Sequence, residues 1–251
     1  MSENVPGYGV QQIDKDIFEL HNNLRKNPQM LVEDLEAMLE QFDGMLLKRP
    51  GKVTLRTKEG KDAVNEAIKF LKEASPIQPL RWSNEVGFAA RDHGDDIGPK
   101  GLIQHDSSDG RTGVKERMRK YGNIVSCYGE NLSFHCEDAK EVMIQLIVDD
   151  GVHNRGHREN IFNAEFNVMG AYTCAHKDFN QMSVIDYAGA FVVKGEPDPI
   201  ERQMDAFLKE EVEFEMPENV RSWKQNSKIQ VQGNLAKKTV VRTLMMKDGT
   251  E

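Results

Sequence analysis

The chain has 251 residues, of which 38% are hydrophobic and 29% charged, and its formal net charge is −8 at pH 7. This composition is typical of a soluble globular protein and excludes a largely disordered chain. The net negative charge argues against nucleic-acid binding as the main role. The charge is uneven, because residues 216–251 hold seven Lys or Arg and three acids, a net +4, which leaves −12 for residues 1–215.

The N-terminal sequence lacks the charged-then-apolar pattern of a secretory signal peptide. No apolar run approaches the roughly 18 residues that a membrane-spanning helix needs. The cysteines Cys127, Cys136 and Cys174 show no C-x-x-C spacing. We therefore expect a cytoplasmic protein with free thiols and no membrane span. A Cys127–Cys136 disulfide is the alternative if the chain is exported by another route.

Apolar residues recur at helical spacing in two successive segments at the start of the chain. The first stripe is Ile13, Ile17, Leu20 and Leu24. Asn27-Pro28 ends that helix, because proline lacks a backbone donor and disfavours helix in the residue before it. Pro28 is predicted to open a second helix with the stripe Leu31, Leu35, Met38, Leu39 and Phe42.

Residues 48–60 are polar and are predicted to form a loop with one short strand at most. A third helix follows, with Val64, Ala67, Ile68 and Leu71 on its buried side. Ser83 is predicted to cap a fourth helix. We expect His93, within that helix, to be partly exposed.

The second half of the chain alternates helices and strands. Residues 114–122 are predicted to form a short helix, 124–134 a strand, and 138–150 a helix that Gly151 ends. Two strands joined by a hairpin-sized turn are predicted in residues 166–192. Beyond a linker, Pro199 is predicted to open a helix with the stripe Ile200, Met204, Phe207 and Leu208, and residues 216–251 to form a small β-hairpin.

Residues 101–191 concentrate the polar groups that are chemically unusual. His105, Glu130, the acids Asp149 and Asp150, and His157 each lie beside glycine or inside an apolar run, where a lone charge would be costly.

Two other histidines are less promising. His153 has the i, i+4 spacing of a helical metal pair with His157, but Gly156 disfavours a helix there, so we expect His153 in a solvated loop. His21 is expected to be a packing histidine with its hydrogen bonds satisfied.

The succession HNNLR, PLRW, QHD, YGENL and RGHRENIF, followed by two closing strands, resembles the CAP superfamily over residues 13–192. That superfamily includes cysteine-rich secretory proteins, antigen 5 and pathogenesis-related 1 proteins. The resemblance implies an α+β fold, a three-layer α-β-α sandwich. Its predicted organisation is a tail (1–12), a CAP domain (13–193) with a helical insertion at about 28–75, a linker and helix (194–215), and a basic β-type arm (216–251).

The resemblance also implies a surface cavity lined by two histidines and two acids. His105, Glu130 and His157 match three of these positions. The second acid normally follows a tryptophan; here Leu146 replaces the tryptophan and Asp149 falls at the acid position, with Asp150 as the nearby alternative.

Three uses of this set are open. Two imidazoles and a carboxylate from His105, His157, Glu130 and Asp149 could bind Zn²⁺ with an open position. Without metal, the acids would hold the histidines by charge-assisted hydrogen bonds and raise their pKa values. The same bonds could instead be purely structural. We expect no required cofactor.

These observations lead to three hypotheses about function. The first is an intracellular, non-catalytic scaffold or interaction module, in which the arm 216–251 binds an acidic protein surface, such as a cytoskeletal filament in a cilium. The second is a metal-binding protein with weak hydrolase activity. The third, implied only by the family, is lipid or sterol binding.

Overall fold

The computed structural model describes residues 10–195, 220–232 and 235–246. The chain divides into two compact units, residues 1–194 and 195–251. Most of the predicted tail, the linker and the helix predicted from Pro199 lie outside the described residues. None of the described helices is long and apolar enough to cross a membrane.

The first unit contains seven α-helices among the described residues. They are α1 (Gln12–Lys26), α2 (Val32–Leu39), α3 (Lys61–Glu73), α4 (Asn84–Ile97), α5 (Val114–Arg119), α6 (Ala139–Val148) and α7 (Gly156–Ile161). Short 3-10 turns at Pro28–Leu31 and Gly98–Lys100 precede α2 and follow α4.

The strands of this unit are β1 (Phe42–Asp43), β2 (Leu46–Leu47), β3 (Leu55–Arg56), β4 (Arg81–Trp82), β5 (Gly122–Ile124), β6 (Tyr128–Phe134), β7 (Val168–His176), β8 (Asn180–Ala188) and β9 (Phe191–Val193). The central sheet has the order β4-β7-β8-β6, and β6 is an edge strand. β4 pairs with β7 in parallel, and the other two pairings are antiparallel.

Helices cover both faces of the central sheet. Alternate side chains of a strand point to opposite faces, so Ile185 and Tyr187 of β8 join the core with α1, α3 and α6. Val184, the residue before Ile185, packs with Ala90 and Ile97 of α4 on the other face. The predicted α+β, three-layer α-β-α fold is therefore confirmed.

Most predicted elements are confirmed, and the differences are local. The segment from Pro28 starts as a 3-10 turn, and its helix ends at Leu39, so Phe42 lies in β1. Strands β1, β2 and β3 form a small antiparallel sheet inside the predicted insertion, residues 28–75, which we call the insertion below. Helix α6 ends at Val148 and is not ended by Gly151 as predicted; Asp149 follows as its C-cap in a left-handed conformation (φ 55°).

The second unit contains the predicted hairpin. Its strands β10 (Val220–Gln232) and β11 (Leu235–Met246) pair antiparallel along almost their whole length, with one irregularity near Val220. In the part of the chain that the structure describes, these two strands pair only with each other.

Asp14 is a fully buried acid near the start of α1. Its Oδ2 accepts a hydrogen bond from the backbone N–H of Gln11 at 3.1 Å. Burial raises the pKa of Asp14 to about 6 from 3.8, and hydrogen bonds involving Thr173 only partly offset this.

We predict that Asp14→Asn increases stability at neutral pH. The folded-state pKa of Asp14 is raised, so its contribution to stability is fully present below about pH 4 and is lost as the pH rises through about 6. The two pKa values imply a loss of about 3 kcal/mol. The free energy of unfolding, measured with urea, should therefore fall less between pH 4 and 7 in the variant than in the wild type. Asp16→Asn, at an exposed position of the same helix, is the control; equal pH profiles for Asp14→Asn and wild type would contradict the prediction.

Candidate functional site

Two acid–histidine pairs lie in one cleft. His105 Nδ1 is 2.7 Å from Glu130 Oε1, and His157 Nδ1 is 2.6 Å from Asp149 Oδ1. Both histidines line a cleft with a volume of about 830 Å³ beside the edge strand β6. The four side chains that were grouped from the sequence therefore lie together in the structure as two hydrogen-bonded pairs.

Strand β6 explains how the two pairs meet. Glu130 and Asn131 are neighbours in β6, so their side chains leave opposite faces of the sheet. On one face, Glu130 binds His105 and Arg117 of α5. On the other, the Asn131 side chain donates to the backbone carbonyl of His157 in α7 at 2.9 Å. The cleft therefore lies beside the edge of the sheet, where groups from both of its faces contribute to it.

Glu130 is buried and is held by charged partners. Its Oε2 accepts a hydrogen bond from Arg117 Nη2, and Arg117 Nη1 donates to the backbone carbonyl of His105 at 2.9 Å. Burial would raise the pKa of Glu130, but the hydrogen bond from His105 and the positive charge of Arg117 outweigh it, so the pKa is lowered. The bond to Glu130 in turn raises the pKa of His105, as predicted.

Asp186 is a member of this cluster that the sequence analysis missed. It lies opposite Glu130 in the β6–β8 ladder and is fully buried. Burial, together with the negative charge of Glu130, raises the pKa of Asp186 well above its ordinary value. Both effects favour the protonated form of this carboxyl group. A single aspartate inside the apolar run SVIDYAG was the available sequence signal.

The prediction that His93 is partly exposed is wrong. His93 is fully buried in α4, with Nε2 2.9 Å from the backbone carbonyl of Gln104 and 3.9 Å from Glu130 Oε1. Burial lowers the pKa of His93 despite the nearby carboxylate. His93 is thus a neutral neighbour of the first pair.

Asp149 is the fourth residue of the site. It ends α6 in a left-handed conformation, and its Oδ2 accepts the backbone N–H of His157 at 3.0 Å while Oδ1 contacts the ring. The alternative, Asp150, has another role: its carboxylate accepts the backbone N–H groups of Lys58 and Glu59 at 2.7 and 2.8 Å. Asp150 therefore binds the insertion and not a histidine.

The insertion forms one wall of the cleft. Its larger apolar side chains are Met38, Phe42, Leu47, Leu55 and Val64, and polar and charged side chains lie beside them, among them Asp34, Gln41, Arg49 and Arg56. Leu132 and Phe134 of β6, with Ile144 of α6, lie among the residues that line the rest of the cleft. An apolar cleft of this size is typical of a small-molecule site. The third hypothesis, lipid or sterol binding, stays a prediction.

The candidate metal ligands of this site are histidine nitrogens and not the carboxylates. Among the described residues, no group of three or more His, Cys, Asp or Glu side chains is arranged to hold a metal ion. Each carboxylate is engaged by the Nδ1 of its histidine, which leaves the Nε2 atoms as candidate ligands, with the acids behind them. Direct coordination by Glu130 or Asp149 does not fit this arrangement, and zinc binding itself stays a prediction.

The remaining cysteine and histidine predictions have clear outcomes. All three cysteines are free thiols, so the Cys127–Cys136 disulfide is not formed. His153 is exposed in a turn, as predicted. His21 is a buried packing residue beside the Tyr187 ring, with its pKa lowered to about 3 by burial. Its expected hydrogen bonds are not made with good geometry in the described part of the chain.

Most of the chain matches the model of one protein family. The model of the cysteine-rich secretory protein family, CAP, matches residues 18–193. The chain belongs to this family. In the CAP domain of this chain, the GEN segment supplies Glu130 and the G-H segment supplies His157.

The solved structures that this chain matches are distant from it in sequence. They include an outer surface protein from Borrelia burgdorferi, at 19% identity over 45% of this chain and 78% of that chain, with a TM-score of 0.38. The structure of NaASP2 with Zn²⁺ is 17% identical over 74% of this chain and 84% of that chain, with a TM-score of 0.38. BmVAL-1 is 13% identical over 73% and 80%, with a TM-score of 0.32. Comparison with curated proteins gave no match.

We predict that Arg117→Met destabilises the fold by about 3–5 kcal/mol, because it leaves the carboxylate of Glu130 buried without its cation. Urea unfolding at pH 7 measures the loss. Arg119→Met, at an exposed position of the same helix, is the matched control. The double variant Arg117→Met/Glu130→Gln should recover part of the loss. A loss no larger than that of Arg119→Met would contradict the prediction.

Proposed function

We propose that this chain is a non-catalytic interaction module of a larger assembly. In this proposal the CAP domain is a rigid scaffold, and the basic arm, residues 216–251, binds an acidic protein surface. A cytoskeletal filament in the cytoplasm or a cilium is the kind of partner that fits.

The β10–β11 hairpin is the observation that carries the proposal. Its strands have 13 and 12 residues and, within the described ranges, pair only with each other. An isolated two-stranded hairpin is marginally stable in water at best. Each strand also has an outer edge, which is a common docking surface for another chain. A hairpin of this length therefore gains most if a partner covers it.

The charge of the arm indicates the chemistry of that partner. The register places Lys224, Lys228 and Lys237 at positions on one face of the ladder. Lys228 is opposite Thr239 on this face, and Thr239 is exposed. A basic face is complementary to an acidic surface, which steers association and makes it sensitive to salt.

Two of the three thiols are also consistent with a non-catalytic role. Burial raises the pKa of Cys136 and of Cys174 to about 11, so both are protonated at neutral pH. A thiol in this state is a poor nucleophile.

Charge reversal on the basic face tests the proposal. We predict that Lys224→Glu/Lys228→Glu/Lys237→Glu lowers the amount of partner protein that co-purifies from native cells at least tenfold. Deletion of residues 196–251 should have the same effect. Binding to purified microtubules, measured by co-sedimentation, tests the filament version and should weaken with added salt. Lys61→Glu/Lys69→Glu/Lys72→Glu on α3 is the control. Equal recovery with full-length and arm-deleted protein would refute the role of the arm.

Metal binding is the second candidate function. The hydrogen bonds from both Nδ1 atoms to carboxylates favour it, because metal-ligating histidines commonly have such partners. This version, with weak metal-assisted hydrolysis, predicts about one equivalent of zinc after mild dialysis and its loss in His105→Ala/His157→Ala. Metal analysis of purified protein measures both. Less than about a tenth of an equivalent in the wild type would exclude it.

A further inference from the structure

The insertion is tied to the His157 loop by a bidentate ion pair. The guanidinium of Arg155 donates to both oxygens of Glu59, with Nη1–Oε1 at 2.7 Å and Nη2–Oε2 at 2.6 Å. Arg155 Nη1 also donates to the backbone carbonyl of Asp149 at 2.8 Å. A single guanidinium therefore connects an acid of the insertion to the backbone of the residue that holds His157. Bidentate pairs of this kind fix geometry as well as charge.

Hydrogen bonds run across the same junction in both directions. The Asp150 carboxylate accepts the backbone N–H groups of Lys58 and Glu59. Glu59 Oε1 in turn accepts the backbone N–H of Gly151 at 2.6 Å. The two residues that follow Asp149 are thus held by the insertion through both main-chain and side-chain atoms.

A second acid of the insertion extends this contact to α6. Glu66 of α3 accepts hydrogen bonds from Arg155 Nη2 at 2.7 Å and from Arg158 Nη1 at 2.9 Å. Arg158 Nε donates to the backbone carbonyl of Ile147 at 2.5 Å, in the last turn of α6. Carbonyls in the last turn of a helix lack partners within the helix. The arginine therefore both caps α6 and binds the insertion.

The backbone of the loop depends on these contacts. Asp149 and Arg155 both have left-handed conformations, with φ of 55° and 51°. Residues other than glycine adopt this conformation at a cost and keep it when their surroundings hold them there. Asp149 must keep it for its two oxygens to reach the ring and the backbone N–H of His157.

We propose that Glu59 and Arg155 are positioning residues for His157. Through them the insertion fixes the Asp149 carboxylate, which selects the Nδ1–H tautomer of the neutral imidazole and leaves Nε2 as the acceptor. This role is separate from the proposed function of the arm, and the test below does not depend on the arm.

Imidazole ¹⁵N spectra of the full-length protein, recorded at alkaline pH, test the proposal. In the wild type, His157 should be mainly the Nδ1–H tautomer. In Glu59→Gln the ratio of the Nδ1–H to the Nε2–H tautomer should fall several-fold, because a neutral amide cannot keep the bidentate ion pair. His105 is the internal control, since Arg117 and not the insertion holds its acid.

Two further variants make the result decisive. Glu73→Gln makes the same chemical change at an exposed position of α3 and should leave the His157 ratio unchanged. Arg155→Lys keeps the positive charge but loses the planar fork, so it should change the ratio in the same direction as Glu59→Gln. If Glu59→Gln does not fold, Arg155→Lys decides. A wild-type His157 ratio in the folded variants, or an equal change at His105, would overturn the proposal.

Discussion

The site depends on keeping the carboxylate of Glu130 charged inside the protein. Transfer of an unpaired carboxylate from water to a protein interior costs several kcal/mol. Here Arg117 neutralises one oxygen and His105 binds the other, while burial and the negative charge of Glu130 raise the pKa of Asp186 across the ladder. The opposite shifts of the two pKa values, down for Glu130 and up for Asp186, reduce the repulsion between two adjacent acids in a close-packed sheet. His105, which reaches the cleft, is thus the outermost member of a hydrogen-bond network that its buried members stabilise.

The second pair obeys a different constraint. Within the described part of the chain, no arginine or lysine forms an ion pair with the Asp149 carboxylate; its orientation is set by the backbone conformation at the end of α6 and by its hydrogen bonds to His157. That conformation in turn depends on contacts made by the insertion, a segment far away in the sequence. The two histidines of the cleft are therefore positioned by unrelated parts of the molecule, one by the sheet and the other by residues 58–66.

Much of this arrangement could be predicted from the sequence, because it is encoded locally. The stripe Val64, Ala67, Ile68 and Leu71 predicts α3, and Ser83 predicts the start of α4, where its hydroxyl accepts the N–H of Val86. His105, Glu130, Asp149 and His157 followed from motif positions.

The other features depend on tertiary contacts. The raised pKa of Asp186 depends in part on Glu130, which lies opposite it on the adjacent strand. His93 is buried by the Gln104 segment, and Asp150 is directed away from the cleft by backbone donors in a loop about ninety residues earlier.

Two side-chain amides influence how β6 behaves as a sheet edge. Gln145 of α6 accepts the N–H of Phe134 and donates to its carbonyl, and Asn160 of α7 donates to the carbonyl of Glu130. These bonds occupy main-chain groups that would otherwise be available to a strand from a second molecule. The cleft can thus remain accessible to small ligands beside an edge that is protected against intermolecular sheet extension and aggregation.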